Sequence, residues 1–233
     1  MLIGIPEERK DGEFRVAMTP DGVAALMQRG HRVAVQQNAG TRIGFSDAAY
    51  RDAGAAIATT ANEVFLADLI VKVKELQTDE FALLKAGQII FAYLHVAPDP
   101  VLAQAMLSRD VIGIAYETVS DRDGNLPLLK PMSMIAGRLA ISVGAWGLQL
   151  INGGKGTLLS GGPGLPRAKV LILGAGSTGS NATDVAVNLN AEVMCWTSTL
   201  IGWLRSKKFT GCEFKPIWQR GKILSRICAG RIL

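Results

Sequence analysis

With 233 residues, of which 48% are hydrophobic, the chain can bury the core of one large domain or two modest ones, which excludes a disordered tail. It shows neither a secretory leader nor a run near the ~18 apolar residues of a membrane helix, so we expect a cytoplasmic protein without a membrane partner. Three cysteines exclude a disulfide scaffold, and together with two histidines they offer no metal site.

The net charge of +5 is concentrated at one end of the chain. Residues 196–233 hold eight Lys and Arg against a single acid, Glu213, and three of the four tryptophans, whereas the rest holds 17 basic and 19 acidic residues. A basic segment with interleaved tryptophans is one that could engage nucleic acid. It carries no recognised motif, however, so we interpret it as an atypical basic tail and expect no nucleic-acid partner.

The first 128 residues alternate short β-branched runs with helix-like segments, which predicts an α/β domain with a parallel sheet. Helices are predicted to begin at Thr19, Ser46 and Asp99, each of which can cap a helix N-terminus. The crossovers between strands favour a doubly wound arrangement. The predicted strands are Leu2–Ile5, Arg32–Gln36, Leu69–Val73, Ile89–Tyr93 and Val111–Ala115.

A polar, turn-rich loop at 121–125 predicts the margin of this domain. Beyond it the pattern predicts a linking helix and one further βα unit, and then periodicity fails. The predicted elements are a helix from about Ser133 to Ile151, a strand Lys169–Leu173, a helix to about Asn190 and a strand Glu192–Cys195. We therefore divide the chain into a first domain at 1–128, a partial Rossmann domain at 129–195 and the tail at 196–233.

The segment 174–179, GAGSTG, matches the GxGxxG pattern directly after an apolar strand and directly before a helix. The first glycine permits a tight turn, the second lets backbone approach a pyrophosphate, and the third allows the helix to pack closely on the strand. The helix N-terminus adds unpaired N–H groups for the phosphates. A glycine-rich turn that binds nothing is the competing interpretation. The predicted dinucleotide-binding residues are Gly174, Gly176, Ser177, Thr178 and Gly179.

One part of this fingerprint is absent. An NAD site of this type has an Asp or Glu at the end of the second strand, where it accepts hydrogen bonds from the ribose hydroxyls. Here that strand ends Val193-Met194-Cys195-Trp196-Thr197, without a carboxylate, and Arg205 lies too far along to indicate NADP. The cofactor site is therefore expected to be incomplete.

Four candidate polar residues lie at or after the ends of strands in the first domain. Arg15, after the first strand, can bind a carboxylate bidentately or can be a solvated surface arginine. Lys74 ends a strand with Lys72 on the same side, so either can line a crevice, unless the two form a pair on an edge strand. His95 can act as a general acid or base or can be a half-buried structural histidine. Glu117 ends another strand, where an ion-pair or orienting role is as reasonable as chemistry.

The chain resembles the alanine dehydrogenase family, which shares a branch with the α subunit of the proton-pumping nicotinamide nucleotide transhydrogenase. The resemblance covers residues 1–195, and Lys74 with the Tyr-Leu-His run favours alanine dehydrogenase within that branch. The segments that carry it are Gly4-Ile5-Pro6-Glu7-Glu8, Arg15-Val16-Ala17-Met18-Thr19-Pro20, Gly30-His31-Arg32-Val33, Ile70-Val71-Lys72-Val73-Lys74-Glu75, Tyr93-Leu94-His95, Ala115-Tyr116-Glu117-Thr118, Leu126-Pro127-Leu128-Leu129, Pro131-Met132-Ser133, Ala136-Gly137-Arg138 and the glycine loop.

The resemblance implies an NAD-dependent oxidation of L-alanine to pyruvate and ammonium by a hexameric enzyme. It implies that Arg15 binds the substrate carboxylate and that Lys74 contacts the carboxylate or the carbonyl oxygen. It further implies that His95 moves a proton at the imine and carbinolamine steps, that Met132 borders the substrate, and that Ser133 borders the nicotinamide. The three glycines of the loop would hold the pyrophosphate.

Some positions depart from the family pattern. Leu76 stands where the family has Pro, and Met134 stands where it usually has Glu. Family members continue well past this length, so the change of composition near Cys195 predicts a chain that is truncated or frame-shifted. The sequence therefore leaves two hypotheses: an alanine dehydrogenase impaired by truncation, or a catalytically inactive binding or assembly module of the same fold.

Overall fold

The computed structural model describes residues 1–197 and 212–216. The chain divides into two compact units, Met1–Leu126 and Pro127–Leu233. The strands of the first unit are β1 Leu2–Ile5, β2 Arg32–Gln36, β3 Ala56–Ala58, β4 Leu69–Val71, β5 Ile89–Ala92 and β6 Ile112–Ala115. Its helices are α1 Pro20–Gln28, α2 Asp47–Asp52, α3 Ala61–Val64 and α4 Pro100–Ser108.

The six strands of the first unit form one parallel sheet in the order β3-β2-β1-β4-β5-β6. This is the strand order of a complete doubly wound fold. The order in which successive strands are added to the sheet reverses at the boundary between β1 and β4. The α/β prediction is therefore confirmed. Because β4 lies between β1 and β5, and Lys72 and Lys74 follow its end, the alternative that these lysines form a pair on an edge strand is wrong.

The predicted caps explain where three of the helices begin. The side chains of Thr19, Ser46 and Asp99 each accept a hydrogen bond from a backbone N–H in the first turn of α1, α2 and α4. Each of these helices buries apolar side chains against the sheet. One cluster centres on Ile70 and Ile90, and another on Tyr50 with its strand neighbours.

The second unit contains α5 Leu129–Gly147, β7 Lys169–Leu173, α6 Ser177–Asn188, β8 Glu192–Thr197 and β9 Cys212–Pro216. Its strands are parallel and lie in the order β7-β8-β9. The buried residues of α6, among them Ala182 and Ala186, pack with Val193 and Cys195 of β8. None of the helices within the described residues is long and apolar enough to cross a membrane.

Several predicted bounds were wrong. The linking helix begins and ends four residues earlier than predicted, so Ser133 lies inside its first turns rather than at its start. β4 ends at Val71, which places Lys72 and Lys74 in the following loop. The sequence did not predict β3, α3 or β9, and β8 runs on to Thr197.

Candidate functional site

The carboxyl ends of β1, β4, β5 and β6 lie side by side at one edge of the first sheet. The reversal between β1 and β4 is the point at which doubly wound folds bind ligands. Arg15 lies in the loop after β1, Lys74 after β4, His95 after β5 and Glu117 directly after β6. The topology therefore brings Arg15, Lys74 and His95 to the same edge of the first sheet.

Glu8, which the sequence analysis did not single out, holds the loop after β4. Its side chain is only 1% exposed. One carboxylate oxygen accepts the N–H of Val73 at 2.6 Å, and the other accepts the N–H of Lys74 at 3.2 Å. Burial raises the pKa of Glu8, although Lys72 and the two backbone N–H groups oppose that shift. Its place after β1 was visible in the sequence, but its inward direction depends on the path of the loop.

Lys72 is fully buried and does not line the crevice, so that part of the prediction was wrong. Its Nζ lies 2.5 Å from the Oε1 of Glu80 and 3.7 Å from the Oε2 of Glu8. A buried ammonium group requires such partners because desolvation of an unpaired charge is costly. Lys74, in contrast, is half-buried, and its backbone is fixed by Glu8.

Arg15 is bound by an acid of its own loop. Its Nε and Nη2 donate to the two oxygens of Glu13 at 2.8 and 2.6 Å, and its backbone N–H donates to one of them at 3.0 Å. The hydrogen bond from Arg15 holds the pKa of Glu13 below its usual range, so this carboxyl group stays ionised at neutral pH. Arg15 is therefore neither freely solvated nor unpaired.

His95 is exposed, so the half-buried structural interpretation was wrong. Its backbone has a φ of 45°, in the left-handed region that residues other than glycine rarely adopt. Glu117 supports this conformation, since its oxygens accept the N–H of His95 at 2.8 Å and the N–H of Leu94 at 3.3 Å. The imidazole stacks on the ring of Tyr93 with the centroids 6.3 Å apart. Glu117 thus orients the backbone of the histidine, and an orienting role was among those predicted for it.

Electrostatic interactions connect the side chains of Arg15, Lys74, Glu13, Tyr93 and Glu117. Arg15 and Lys74 both act on the carboxylate of Glu13, and Arg15 also acts on Tyr93. Burial raises the pKa of Tyr93, and Glu117 adds to this effect while Arg15 opposes it. The first unit therefore gathers two cations, a histidine and ordered carboxylates at the end of its sheet, an arrangement suited to a small carboxylate that exchanges protons.

The glycine loop of the second unit gives each of its glycines a different environment. Gly174 has a φ of 101°. A Cβ on Gly176 would meet no atom within 4 Å, whereas a Cβ on Gly179 would overlap the carbonyl oxygen of Gly174. These are the tight turn, the open approach and the close helix contact that the motif requires. Gly176 is the N-cap residue of α6, and no side chain caps this end of the helix. The first N–H groups of the helix therefore remain available to an anion.

Helix α5 packs against the start of α6. A Cβ on Gly137 would overlap the carbonyl oxygen of Thr178, and Arg138 binds Asn181 and Asp184 of α6 at 3.1 and 3.2 Å. Ser133 lies one turn before Gly137 on the same helix face, because residues four apart are neighbours. Met132 is also half-buried and, like Ser133, belongs to the second unit rather than to the cluster of Arg15 and Lys74.

The end of β8 offers no carboxylate. The strand finishes at the buried residues Trp196 and Thr197, and neither of them is acidic, as the sequence indicates. Cys195 is buried one residue earlier, and this burial raises the pKa of its thiol. Arg205, considered above for NADP, lies outside the described residues.

Comparison with known proteins identifies the family. The model of the alanine dehydrogenase/PNT N-terminal domain matches residues 4–136, and that of the C-terminal domain matches residues 140–200. An alanine dehydrogenase from Methanococcus maripaludis is 51% identical over 194 residues, which cover 83% of this chain and 52% of the relative. The chain thus spans about half the length of the curated relatives that it matches.

Solved structures show the same fold. An L-alanine dehydrogenase superposes with a TM-score of 0.84 at 39% identity, over 92% of this chain and 60% of that one. A transhydrogenase from Sinorhizobium meliloti superposes with a TM-score of 0.80 over 97% of this chain and 67% of its own. The latter is only 22% identical, so it supports the fold alone.

Proposed function

This chain belongs to the alanine dehydrogenase/PNT family, and from this premise we propose that it provides the substrate site and part of the nucleotide site of an NAD-dependent alanine dehydrogenase. The reaction is the oxidative deamination of L-alanine to pyruvate and ammonium. The observation that supports the proposal is that Arg15, Lys74 and His95 follow β1, β4 and β5, three strands that lie side by side in the first sheet.

Each side chain of the cluster has a task that its surroundings suit. Arg15 is positively charged and held by two side-chain hydrogen bonds to Glu13, so it binds the carboxylate of alanine or pyruvate. Lys74, whose backbone Glu8 fixes, contacts the carboxylate or the carbonyl oxygen and stabilises negative charge there. His95 takes a proton from the water that adds to the imine, and it returns a proton to the departing amine.

The glycine loop fits the pyrophosphate of NAD. The open space around Gly176 admits a phosphate close to the backbone, and the N-terminus of α6 supplies N–H groups and a positive dipole. Ser177 and Thr178 extend this surface, and Ser133 borders it from α5. When bound, NAD supplies the acceptor for the hydride of the α-carbon. A hexameric assembly and a cytoplasmic location stay predictions of the sequence.

The reaction can be tested directly. We expect purified protein to generate NADH absorbance only when both L-alanine and NAD are present, and we expect Arg15→Ala to abolish the signal. A flat trace from a folded protein that still binds pyruvate would favour an inactive binding module over an enzyme.

The nucleotide site can be tested without turnover. Gly176→Ala should weaken NAD binding at least about tenfold, because the new methyl group fills the space that the phosphate approaches. Its unfolding midpoint should change little, since no neighbouring atom is displaced. Gly144→Ala, which also adds a methyl group in open space but lies on α5, is the control and should bind NAD like the parent chain. Equal NAD affinities in all three proteins would contradict the proposed site.

A further inference from the structure

Arg15 presents only half of its hydrogen-bonding surface to a ligand. A guanidinium group has five N–H donors, arranged as a side fork of Nε and one Nη and an end fork of the two Nη atoms. Glu13 occupies the side fork with both of its oxygens, and it also accepts the backbone N–H of Arg15. The end fork therefore remains for a ligand, and it offers one bidentate carboxylate position.

Burial shows which partner of this pair is fixed. The side chain of Glu13 is 9% exposed, whereas that of Arg15 is 45% exposed. The acid thus serves as a buried anchor, and the arginine extends from it toward solvent. An anchored arginine loses little rotational freedom when a ligand binds, which favours affinity.

The charges around this pair also limit what can bind. Arg15 and Lys74 contribute two positive charges next to Glu13, and Glu13 neutralises one of them. The nearby carboxylate of Glu8 is already buried against Lys72. Of the other cations that line the cavity at Arg15, Arg9 and Lys10 pair with Asp79 and Glu75, and Arg42 lies over the ring of Phe14. Glu13 is the acid in direct contact with the arginine that binds the ligand.

Building on the proposed function, we propose that Glu13 is a positioning residue that anchors Arg15 and selects substrates with one carboxylate over substrates with two. A second carboxylate on the same ligand would lie within a Debye length, about 8 Å, of the ionised Glu13. It would be repelled by this carboxylate, which the two hydrogen bonds to Arg15 hold next to the ligand. Pyruvate would therefore bind in preference to oxaloacetate, which is pyruvate with a carboxylate added at its methyl carbon.

The test compares the affinities of the two oxoacids for the full chain by NMR titration. In the parent chain pyruvate should bind more tightly than oxaloacetate, and Glu13→Gln should reduce this preference about tenfold. Asp52→Asn is the matched control, because it removes an exposed acid at the end of α2, outside the residues that line this cavity, and should leave the preference unchanged. The Nε–H resonance of Arg15 should be sharp in the parent and the control, and broadened by exchange in Glu13→Gln.

Salt supplies a measurement that needs no variant. The preference of the parent chain should shrink as the ionic strength rises from about 0.05 to 0.5 M, because exposed charges are screened. A preference that is insensitive to both salt and Glu13→Gln would overturn the inference and leave the proposed function intact. Failure of the parent to bind either oxoacid, or undiminished pyruvate binding by Arg15→Ala, would instead overturn the substrate site and the inference with it.

Discussion

Glu8 and Glu117 hold two neighbouring loops by the same arrangement. Each carboxylate accepts two successive backbone N–H groups, and the second of these belongs to Lys74 in one loop and to His95 in the other. A carboxylate that accepts two N–H groups fixes the backbone without touching the side chain. The backbones of Lys74 and His95, which are proposed to contact substrate, are therefore fixed by acids that take no part in the reaction.

The pH dependence of stability tests the role of Glu8. Because burial raises its pKa, the folded chain binds a proton more tightly than the unfolded chain between the usual Glu pKa of about 4.3 and the raised value. The folded state binds more protons in this window, so its stability falls as the pH rises through it. We therefore expect the urea midpoint of the parent to fall, relative to that of Glu8→Gln, as the pH rises.

Glu7→Gln is the control for this series, since it makes the same charge change at a half-buried neighbour. The comparison separates the effect of burying Glu8 from the effect of removing one negative charge from this loop. A parent midpoint that rises relative to Glu8→Gln with increasing pH would contradict the raised pKa.

The sequence predicted which residues meet at the site, but it did not predict what holds them. Arg15, Lys74 and His95 each follow a strand, and parallel strands end at the same edge, so their convergence follows from the fold. The anchoring acids depend on loop paths that no periodicity encodes. Nothing in the local sequence distinguishes Glu13, which is buried beneath its arginine, from the exposed Asp11.

At the scale of elements, the sequence predicted strands and helices best where apolar runs are bounded by caps or glycines. β1, β2 and β7 have the predicted bounds. β3 is only three residues long, Ala-Ile-Ala, and it forms because it pairs with β2 rather than because of its own propensity. β9 lies in a segment without periodicity, where its pairing with β8 was not visible.

The contact between α5 and α6 gives a prediction at this scale. Gly137→Ala should destabilise the second unit by about 1–3 kcal/mol, because the new methyl group overlaps backbone of α6 and must push the helices apart. Gly144→Ala on the same helix meets open space and should instead stabilise by up to about 1 kcal/mol through helix propensity. Tryptophan-detected urea unfolding would measure both. Equal effects of the two variants would show that α5 and α6 do not pack as described.

At the scale of the molecule, tyrosine fluorescence reports on the first unit and tryptophan fluorescence on the second. All three tyrosines, Tyr50, Tyr93 and Tyr116, lie before residue 127, and all four tryptophans lie after it. The first unit has its own complete six-stranded sheet and its own apolar clusters. Residues 1–126 therefore contain what an independently folding domain requires.

We expect residues 1–126, expressed alone, to unfold cooperatively and to bind pyruvate as the full chain does, because Arg15, Lys74 and His95 all lie within them. A ligand stabilises only the unit that binds it, by about 2.7 kcal/mol at one hundred times its Kd. In the full chain pyruvate should therefore raise the midpoint of the tyrosine-detected transition, and NAD should raise that of the tryptophan-detected one. If NAD shifted only the tyrosine transition, the glycine loop would not be its site. If pyruvate shifted only the tryptophan transition, the cluster at the first sheet would not hold the substrate.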